Sequence, residues 1–198
     1  MNRSGEFSRK TRETHIDLKI NIDGTGAFEI NTGIGFFNHM LETIAMHSLT
    51  DLRVDASGDI NVDFHHLVED TGILFGKGLN EILKSKAGLK RFGYAIVPLD
   101  EALVEAALDI SGRPYCKTNL SGFTGDIGSF NFELGDVFFK GFCSMGYTLH
   151  LTVKNGDNLH HIMEAACKAF ARALRMAVEV DERAKNSIPS TKDYIEKV

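Results

Sequence analysis

The sequence has few cysteines and no long apolar segment. Its three cysteines, Cys116, Cys143 and Cys167, are odd in number and lack the close spacing of a metal-binding knuckle, which predicts free thiols in a reducing compartment. Nowhere do about 18 apolar residues follow one another, and the amino-terminal MNRSGEFSRKTRETHIDL has no apolar core of a signal peptide. We therefore expect a cytoplasmic protein without a membrane partner.

The sequence also lacks an excess of positive charge and a glycine-rich phosphate loop. The formal net charge is −5 over 198 residues, which gives no electrostatic reason to expect nucleic acid as a partner. Neither GxxxxGK(S/T) nor GxGxxG is present, so the common cradles for nucleotide phosphates are excluded. A hydrophobic content of 43% and a charged content of 25% are ordinary for a globular chain.

The first half of the chain changes between strand-like and helical patterns. Residues 13–23 alternate apolar and polar side chains and predict a half-buried strand. DGTG at 23–26 predicts a turn, and AFEINTG after it predicts the partner strand of a hairpin. GFFNHMLETIAMHS at 35–48 predicts a helix, DLRVDASGDINV two short strands, and residues 65–83 a second helix.

The second half repeats this order. AIVPLD and LVEAALDIS predict strands, GDVFFKGFCSMG a helix, YTLHLTV a strand, and HHIMEAACKAFARALRMAVEV a helix of about five turns. We infer an α+β fold with internally duplicated, ββαββα-like halves, in which two four-stranded sheets pack with helices. The halves are expected at residues 9–88 and 89–183, followed by a tail at 184–198, and the absence of a Pro/Ser-rich linker predicts one globular unit.

Two HHxxE motifs lie at equivalent places in these halves. DFHHLVEDTG carries His65, His66 and Glu69, and the same residues recur 95 positions later as His160, His161 and Glu164 in NLHHIMEAA. Helical residues four apart share a face, whereas the next residue is rotated by about 100°, so His65 and Glu69 can bind one ion while His66 faces another. Nitrogen and oxygen ligands without cysteine suit Mn, Fe, Ni or a catalytic Zn. Buried histidine pairs that only hydrogen-bond are the alternative, and the repetition favours metal.

Other residues extend this ligand set. His39 lies in the helix predicted at 35–48, and His47 follows about two turns later on nearly the same face. Asp136 precedes His160 by 24 residues, much as His39 precedes His65 by 26. We expect Asp136 to act as a substitute ligand, with a solvated aspartate at a helix start as the equal alternative.

Short polar clusters outside the apolar periods suggest an anion site. They contain Arg91 in RFG, Arg113 in SGRPY, and Ser190 and Lys192 in PSTK. Arginine, lysine and hydroxyl side chains are the usual means of holding phosphate. Each cluster alone is typical of a protein surface. Because the same sequence also predicts a metal site, the clusters together predict a small phosphorylated substrate.

As a set, these motifs resemble the imidazoleglycerol-phosphate dehydratase family of histidine biosynthesis. The matching stretches run in family order from residue 9 to residue 192 and include RETHI, INIDGTG, GFFNHMLETIAMHS, GDINVDFHHLVEDTGI, RFGYAIVPLDEAL, DISGRPY, GDNLHHIMEAACKAFARALRMAVE and IPSTK. The resemblance implies a carbon–oxygen lyase (hydro-lyase) that dehydrates D-erythro-imidazoleglycerol phosphate to imidazole-acetol phosphate with Mn²⁺.

The resemblance also implies an assembly and a set of site residues. It implies a homo-oligomer of 24 subunits built from trimers, with two Mn²⁺ ions per active site at subunit contacts. The implied metal ligands are His39, His65, His66, Glu69, His160, His161 and Glu164, with Asp136 as the possible substitute. The implied substrate contacts are Glu13, His39, His47, Arg91, Arg113, Ser190 and Lys192. Glu13, Glu69 and Glu164 are the implied candidates for proton transfer.

Three positions depart from the family pattern. The family has His or Glu directly before the paired phenylalanines of the second half's first helix, where this chain reads GDVFF. Phe64 stands where the usual lead-in DDHH has an acidic neighbour of the histidines. Asp193 follows PSTK where the family has glycine, which places an anion near the expected phosphate site.

Other functions could use the same ligands. A ferritin-like storage or di-metal protein also carries Glu and His pairs, but it uses Glu-x-x-His in an all-helical bundle, the reverse of the order here. A metal-dependent hydrolase would share the ligands without requiring the phosphate cluster. An inactive homologue that only assembles is a further alternative, given the three departures.

Overall fold

The computed structural model describes residues 3–195 as two successive sets of strands and helices. The first set consists of β1 (Ser4–Lys10), β2 (Thr14–Asn21), β3 (Phe28–Asn31), α1 (Gly35–Ser48), β4 (Asp51–Gly58) and α2 (His65–Leu83). The second consists of β5 (Phe92–Leu99), β6 (Ala102–Asp109), β7 (Tyr115–Thr118), β8 (Asp126–Ile127), β9 (Phe130–Asn131), α3 (Glu133–Cys143), β10 (Thr148–Asn155) and α4 (Leu159–Val178), with a short 3-10 helix at Leu120–Gly122. β1 begins at Ser4, before residue 9, which is where the first half was expected from the sequence to start.

The two sheets have the same topology. Their strand orders are β1-β2-β4-β3 and β5-β6-β10-β7, so the strands occur in the order first, second, fourth, third in both. In each sheet the third and fourth strands pair in parallel and the other neighbours are antiparallel. The predicted α+β fold with two four-stranded sheets is confirmed, and the shared topology confirms the duplication.

Strand placement within each half differs from the prediction. The expected hairpin of β2 and β3 is wrong, because β3 pairs in parallel with β4, where Ile30 lies opposite Val54. A parallel pair needs a long crossover, and α1 provides it. DLRVDASGDINV forms one strand rather than two, because Val62 donates a hydrogen bond to the Asp59 carbonyl in a turn. The sequence patterns also missed β1 and β7, which are exposed edge strands with little apolar alternation.

The helices lie between the sheets. In β2, Ile16, Leu18 and Ile20 are buried, whereas the alternate side chains face outward. α1 and α2 pack on the first sheet, α4 packs on β5 and β6 of the second sheet, and α3 contacts β7. Contacts between the halves join α1 to α4 and α2 to α3. None of the helices within residues 3–195 is long and apolar enough to span a membrane.

A buried carboxylate fixes α2 to the first sheet. Asp70 accepts a hydrogen bond of 2.6 Å from the Thr14 hydroxyl on β2 and pairs with the Arg9 guanidinium on β1 at 2.8 Å. Buried carboxylates are costly unless paired in this way. Because Asp70 directly follows Glu69, these contacts also fix the orientation of the first HHxxE motif.

Glycines let α2 and α3 approach closely. A Cβ atom on Gly72 would lie 2.4 Å from the Phe138 carbonyl oxygen, and one on Gly76 would lie 2.6 Å from the Phe142 carbonyl oxygen. From the other side, a Cβ on Gly141 would lie 2.7 Å from the Glu69 carbonyl oxygen. The contact is between backbones, so it leaves no room for side chains.

The substitution Gly72→Ala is expected to lower the free energy of unfolding by about 1–3 kcal/mol, because backbone atoms of α3 must move to admit the new methyl group. Urea unfolding at a fixed protein concentration measures the change. Gly35→Ala in α1 is the control, because nothing lies within 4 Å of its added Cβ and alanine favours a helix. Equal stabilities of the two variants would contradict the close backbone contact.

Candidate functional site

The contact of α1 with α4 creates a cluster of two imidazoles and one carboxylate. Nε2 of His39 lies 3.4 Å from Oε2 of Glu164, and Nε2 of His160 lies 3.2 Å from the same oxygen. One ligand atom from each of the three residues falls within 4.8 Å of the others. Because His39 belongs to the first half and the other two residues to the second, the cluster requires both halves.

Local sequence holds the second motif in place. The Asn158 side chain caps α4 by accepting hydrogen bonds from the backbone N–H groups of His160 and His161. His160 and Glu164 then share a helix face because they are four residues apart. The Phe36 ring packs against both histidines of the cluster, 5.1 Å from His160 and 6.0 Å from His39 between ring centroids.

The electrostatics of this cluster favour an ionised carboxylate. Partial burial raises the pKa of Glu164, but the ion pair with Lys168 at 2.7 Å and the contact with His39 lower that pKa more strongly, to about 2. Glu164 is therefore ionised at neutral pH, and the ionised carboxylate is the form that binds a cation. Lys168 was not identified from the sequence, although its i+4 spacing from Glu164 predicts such a pair.

The second histidine of each motif is held by a carboxylate. Nδ1 of His66 lies 3.0 Å from Oδ2 of Asp59, and Nδ1 of His161 lies 2.8 Å from Oε2 of Glu101. Hydrogen bonds to these carboxylates raise the pKa of both imidazoles. Holding Nδ1 in this way orients the ring and leaves Nε2 for a metal ion, as in the carboxylate–histidine pairs of metalloproteins.

Asp59 and Glu101 were missed from the sequence, and the duplication could have found one of them. Glu101 directly precedes β6 as Glu13 precedes β2, and Glu13 lies 3.8 Å from Nδ1 of His66. Two glutamates at equivalent strand starts thus face two equivalent histidines. Phe64, where an acidic neighbour was expected, is instead partly buried against the core, and Asp59 supplies the carboxylate for His66.

Asp136 does not lie with the histidines. It is buried, accepts a hydrogen bond from the Thr118 hydroxyl on β7, and pairs with Lys140 at 2.5 Å. The expectation that Asp136 is a substitute metal ligand is therefore corrected. Asp136 instead joins α3 to β7. Neighbouring helical residues point about 100° apart, and Asp136 points toward the second sheet.

His65 and Glu69 form a less complete group than the cluster at α4. Both side chains are exposed at the start of α2, and no third His, Cys, Asp or Glu within residues 3–195 joins them at ligand distance. A cavity of about 440 Å³ adjoins His65 and lies between the start of α2 and the start of α3. The two HHxxE motifs are thus equivalent in sequence but unequal in their surroundings.

The predicted anion-binding residues lie around one cavity. Arg91, Arg113, Ser190 and Lys192 all line a space of about 720 Å³. The Arg91 guanidinium is fixed by two hydrogen bonds to Asp109, of 2.7 and 3.1 Å, and by one of 2.7 Å to the Pro189 carbonyl. The tail thus folds against β5 to close the cavity. Asp193 is exposed and does not line it.

His47 lies apart from this cavity on the α1–α4 face. Burial lowers its pKa, and the cations Lys168 and Arg172 lower it further. A neutral imidazole among cations is thus set about two turns beyond His39, as the helical spacing predicted. Arg172, like Lys168, was not identified from the sequence.

Fold and site together define a duplicated α+β protein with a histidine–carboxylate cluster between its halves and a separate cavity lined by basic residues. The family model described as imidazoleglycerol-phosphate dehydratase matches residues 32–174. The chain therefore belongs to the imidazoleglycerol-phosphate dehydratase family, whose members are hydro-lyases.

Relatives and solved structures agree with this membership. An imidazoleglycerol-phosphate dehydratase of a Polaromonas species is 50% identical over 191 residues, 96% of this chain and 93% of that protein. The one from Gluconacetobacter diazotrophicus is 51% identical over 194 residues, 98% of both chains. The Staphylococcus aureus structure aligns with a TM-score of 0.81 at 37% identity, covering 90% of this chain and 99% of that one. The Pyrococcus furiosus structure aligns with a TM-score of 0.82 at 36% identity, covering 96% and 100%.

The pairing of His161 with Glu101 predicts a change in titration. In metal-free protein, Glu101→Gln is expected to lower the pKa of His161, because the hydrogen bond to a carboxylate is the largest cause of its rise. NMR titration of the imidazole ring protons measures this pKa. His66, which pairs with Asp59, is the internal control and should titrate as before. An unchanged His161 would show that Glu101 does not control this imidazole.

Proposed function

We propose that this chain dehydrates D-erythro-imidazoleglycerol phosphate to imidazole-acetol phosphate with the help of Mn²⁺, in histidine biosynthesis. The single observation that carries the proposal is the cluster of His39, His160 and Glu164 formed across the two halves. Membership of the family and the basic cavity of Arg91 and Arg113 support it. The activity belongs to the cytoplasm, in keeping with the free cysteines.

The residues present fit a divalent metal ion. Two imidazole nitrogens and an ionised carboxylate oxygen lie within 4.8 Å of one another, and such an N/O set suits Mn²⁺. His39, His160 and Glu164 would hold one ion, and His65 and Glu69 would contribute to a second. The outward Nε2 atoms of His66 and His161 would complete these sites across subunit contacts. Bound Mn²⁺ would act as a Lewis acid that stabilises negative charge on the imidazole ring of the substrate.

The chain's own residues then divide the reaction between binding and proton transfer. Dehydration removes a carbon-bound proton and a hydroxyl group from neighbouring carbons of the glycerol side chain. Glu13, Glu69 and Glu164 are the candidates to accept the proton, because each is a carboxylate on or near a motif histidine. Glu13 fits best, because Glu69 and Glu164 would be occupied as metal ligands, whereas the half-exposed Glu13 carboxylate lies 3.8 Å from Nδ1 of His66 and outside the ligand set.

The cavity of the second half would hold the phosphate. Arg91 is already fixed in place by Asp109 and Pro189, so little side-chain entropy is lost when an anion binds. Arg113, Lys192 and the Ser190 hydroxyl line the same space and supply further donors. His47, neutral and near Lys168, would contact the substrate on the metal side.

The fold disfavours the storage alternative. Ferritin-like di-metal sites lie inside an all-helical bundle, whereas eight strands here form two sheets around the helices. A hydrolase that used the same metal ligands would not need the basic residues that line the cavity of about 720 Å³. An inactive homologue is the remaining alternative, and the activity measurement below separates it from the dehydratase.

An exposed apolar surface supports a homo-oligomer. The outer face of β5 exposes Phe92, Tyr94 and Ile96, each by more than half, and Tyr115 on β7 lies on the same sheet. The outer face of the first sheet instead carries polar residues such as Asp17 and Lys19. An exposed apolar row on one strand, as on β5, is typical of a protein contact. The surface supports self-association, whereas the proposed 24 subunits built from trimers, with metal sites at their contacts, rest on the resemblance to the family.

Activity is expected to depend on Mn²⁺ and on Glu164. Chelator-treated protein should lose dehydration of imidazoleglycerol phosphate and regain it with Mn²⁺, and Glu164→Gln should lower kcat/KM by more than about 100-fold, since changes to outer partners of metal ligands already cost about 10–100-fold. Steady-state formation of imidazole-acetol phosphate measures both. Glu182→Gln, which changes an exposed glutamate just after α4, is the control. Bound Mn²⁺ without turnover would contradict the lyase proposal.

The basic cavity predicts a change in substrate affinity. Arg113→Ala should raise KM about 10- to 100-fold, because a hydrogen bond to a charged group is worth about 1.5–3 kcal/mol. The effect on kcat should be smaller, since Arg113 lies away from the metal cluster. Arg53→Ala is the matched control, because Arg53 pairs with Glu29 on the first sheet. An unchanged KM for Arg113→Ala would place the phosphate elsewhere.

Metal at subunit contacts predicts that assembly depends on metal. Removing metal with a chelator should convert the particle to small oligomers, and adding Mn²⁺ should restore it. Light scattering after size-exclusion chromatography measures the particle mass. A particle mass that ignores metal would show that the ligands do not lie at assembly contacts.

A further inference from the structure

The two internally repeated helices α1 and α3 can be aligned by their buried faces. They begin at Gly35 and Glu133, 98 positions apart. The same separation relates six buried residues of each helix, whereas Leu134 and Asp136 of α3 are buried without a buried equivalent in α1. The matching residues are Phe37, Met40, Leu41, Thr43, Ile44 and Ala45 in α1 and Gly135, Phe138, Phe139, Gly141, Phe142 and Cys143 in α3. This alignment makes Val137 the equivalent of His39, and it makes Glu133 the equivalent of Gly35.

Contacts with α2 agree with this alignment. Gly141 of α3 packs against the backbone of Glu69, and Val137 lies one turn before Gly141, as His65 lies one turn before Glu69. Val137 and His65 both line the cavity of about 440 Å³ between α2 and α3. Val137 therefore faces the first HHxxE motif as His39 faces the second. Its side chain has no atom that can bind a metal ion.

Glu133 supplies a carboxylate at the same cavity. It lies four residues before Val137, hence on the same face of α3, and it lines the cavity together with His65. Its side chain is exposed and makes no ion pair within the described residues 3–195. By contrast, Asp136 is already paired with Lys140 and Thr118. α3 thus lacks an equivalent of the His39 imidazole of α1, while the carboxylate of Glu133 lies one turn before Val137.

We infer that the two metal sites of this chain are unequal. Glu133 lines the cavity beside His65 without lying at ligand distance from both His65 and Glu69, and its exposed side chain turns toward them to replace the missing ligand when Mn²⁺ binds. The site of His39, His160 and Glu164 is already assembled within the chain and binds Mn²⁺ more tightly. The site at α2 depends on the exposed Glu133, which lies one helical turn before Val137, and it binds Mn²⁺ more weakly. The inference rests on the metal binding proposed above.

Mn²⁺ titration of metal-stripped protein tests this inference without reference to activity. Free Mn²⁺ is measured by its electron paramagnetic resonance signal, and bound metal by elemental analysis. The unmodified chain should show two classes of site with affinities at least tenfold apart. Glu133→Gln should weaken only the weaker class by about tenfold or more. Glu182→Gln is the matched control for removing one exposed carboxylate.

A second variant tests the alignment itself. Val137→His restores an imidazole at the position equivalent to His39, and it should strengthen the weaker class until the two classes approach each other. Glu133→Gln added to Val137→His should then have little further effect. One class of equal sites in the unmodified chain, or a weaker class insensitive to Glu133→Gln, would overturn the inference while leaving the proposed function intact. Absence of any bound Mn²⁺ would overturn the metal proposal itself.

Discussion

The candidate site depends on the packing of each half's first helix against the last helix of the other half. α1 meets α4 and α3 meets α2, so His39 reaches His160 and Glu164 only because the halves are joined in this way. Close backbone contact at Gly72 and Gly141 fixes the second pair. The duplication therefore places a contact between two helices beside each HHxxE motif, and the cluster of His39, His160 and Glu164 combines residues from both halves.

Outer carboxylates complete this arrangement. Asp59 and Glu101 hold the second histidine of each motif at Nδ1, while Glu164 is kept ionised by Lys168. In a pair of adjacent histidines the two side chains point in different directions. In the second motif each direction has its own partner, because His160 contacts Glu164 and His161 contacts Glu101.

The elements whose apolar residues recur at regular spacing were predicted from the sequence. Strands whose place depends on which other strand they pair with were not. Both helices at 35–48 and 65–83 and the two-sheet fold followed from apolar spacing and repetition. The hairpin of β2 and β3 was wrong, because local turn signals do not reveal that a strand pairs across a helical crossover. Asp136 was placed one residue from the true equivalent of His39, and on a helix one residue changes the face. Asp59 could not be found from spacing alone, because its contact with His66 joins a loop to a helix, whereas the equivalence of Glu101 to Glu13 in the repeat could have indicated Glu101.

A metal ion bound among His39, His160 and Glu164 would be located by anomalous X-ray scattering at the manganese edge, from crystals grown with Mn²⁺. We expect an anomalous peak in contact with Nε2 of both histidines and with the Glu164 carboxylate. Well-ordered side chains at these three positions with no manganese peak between them would contradict it.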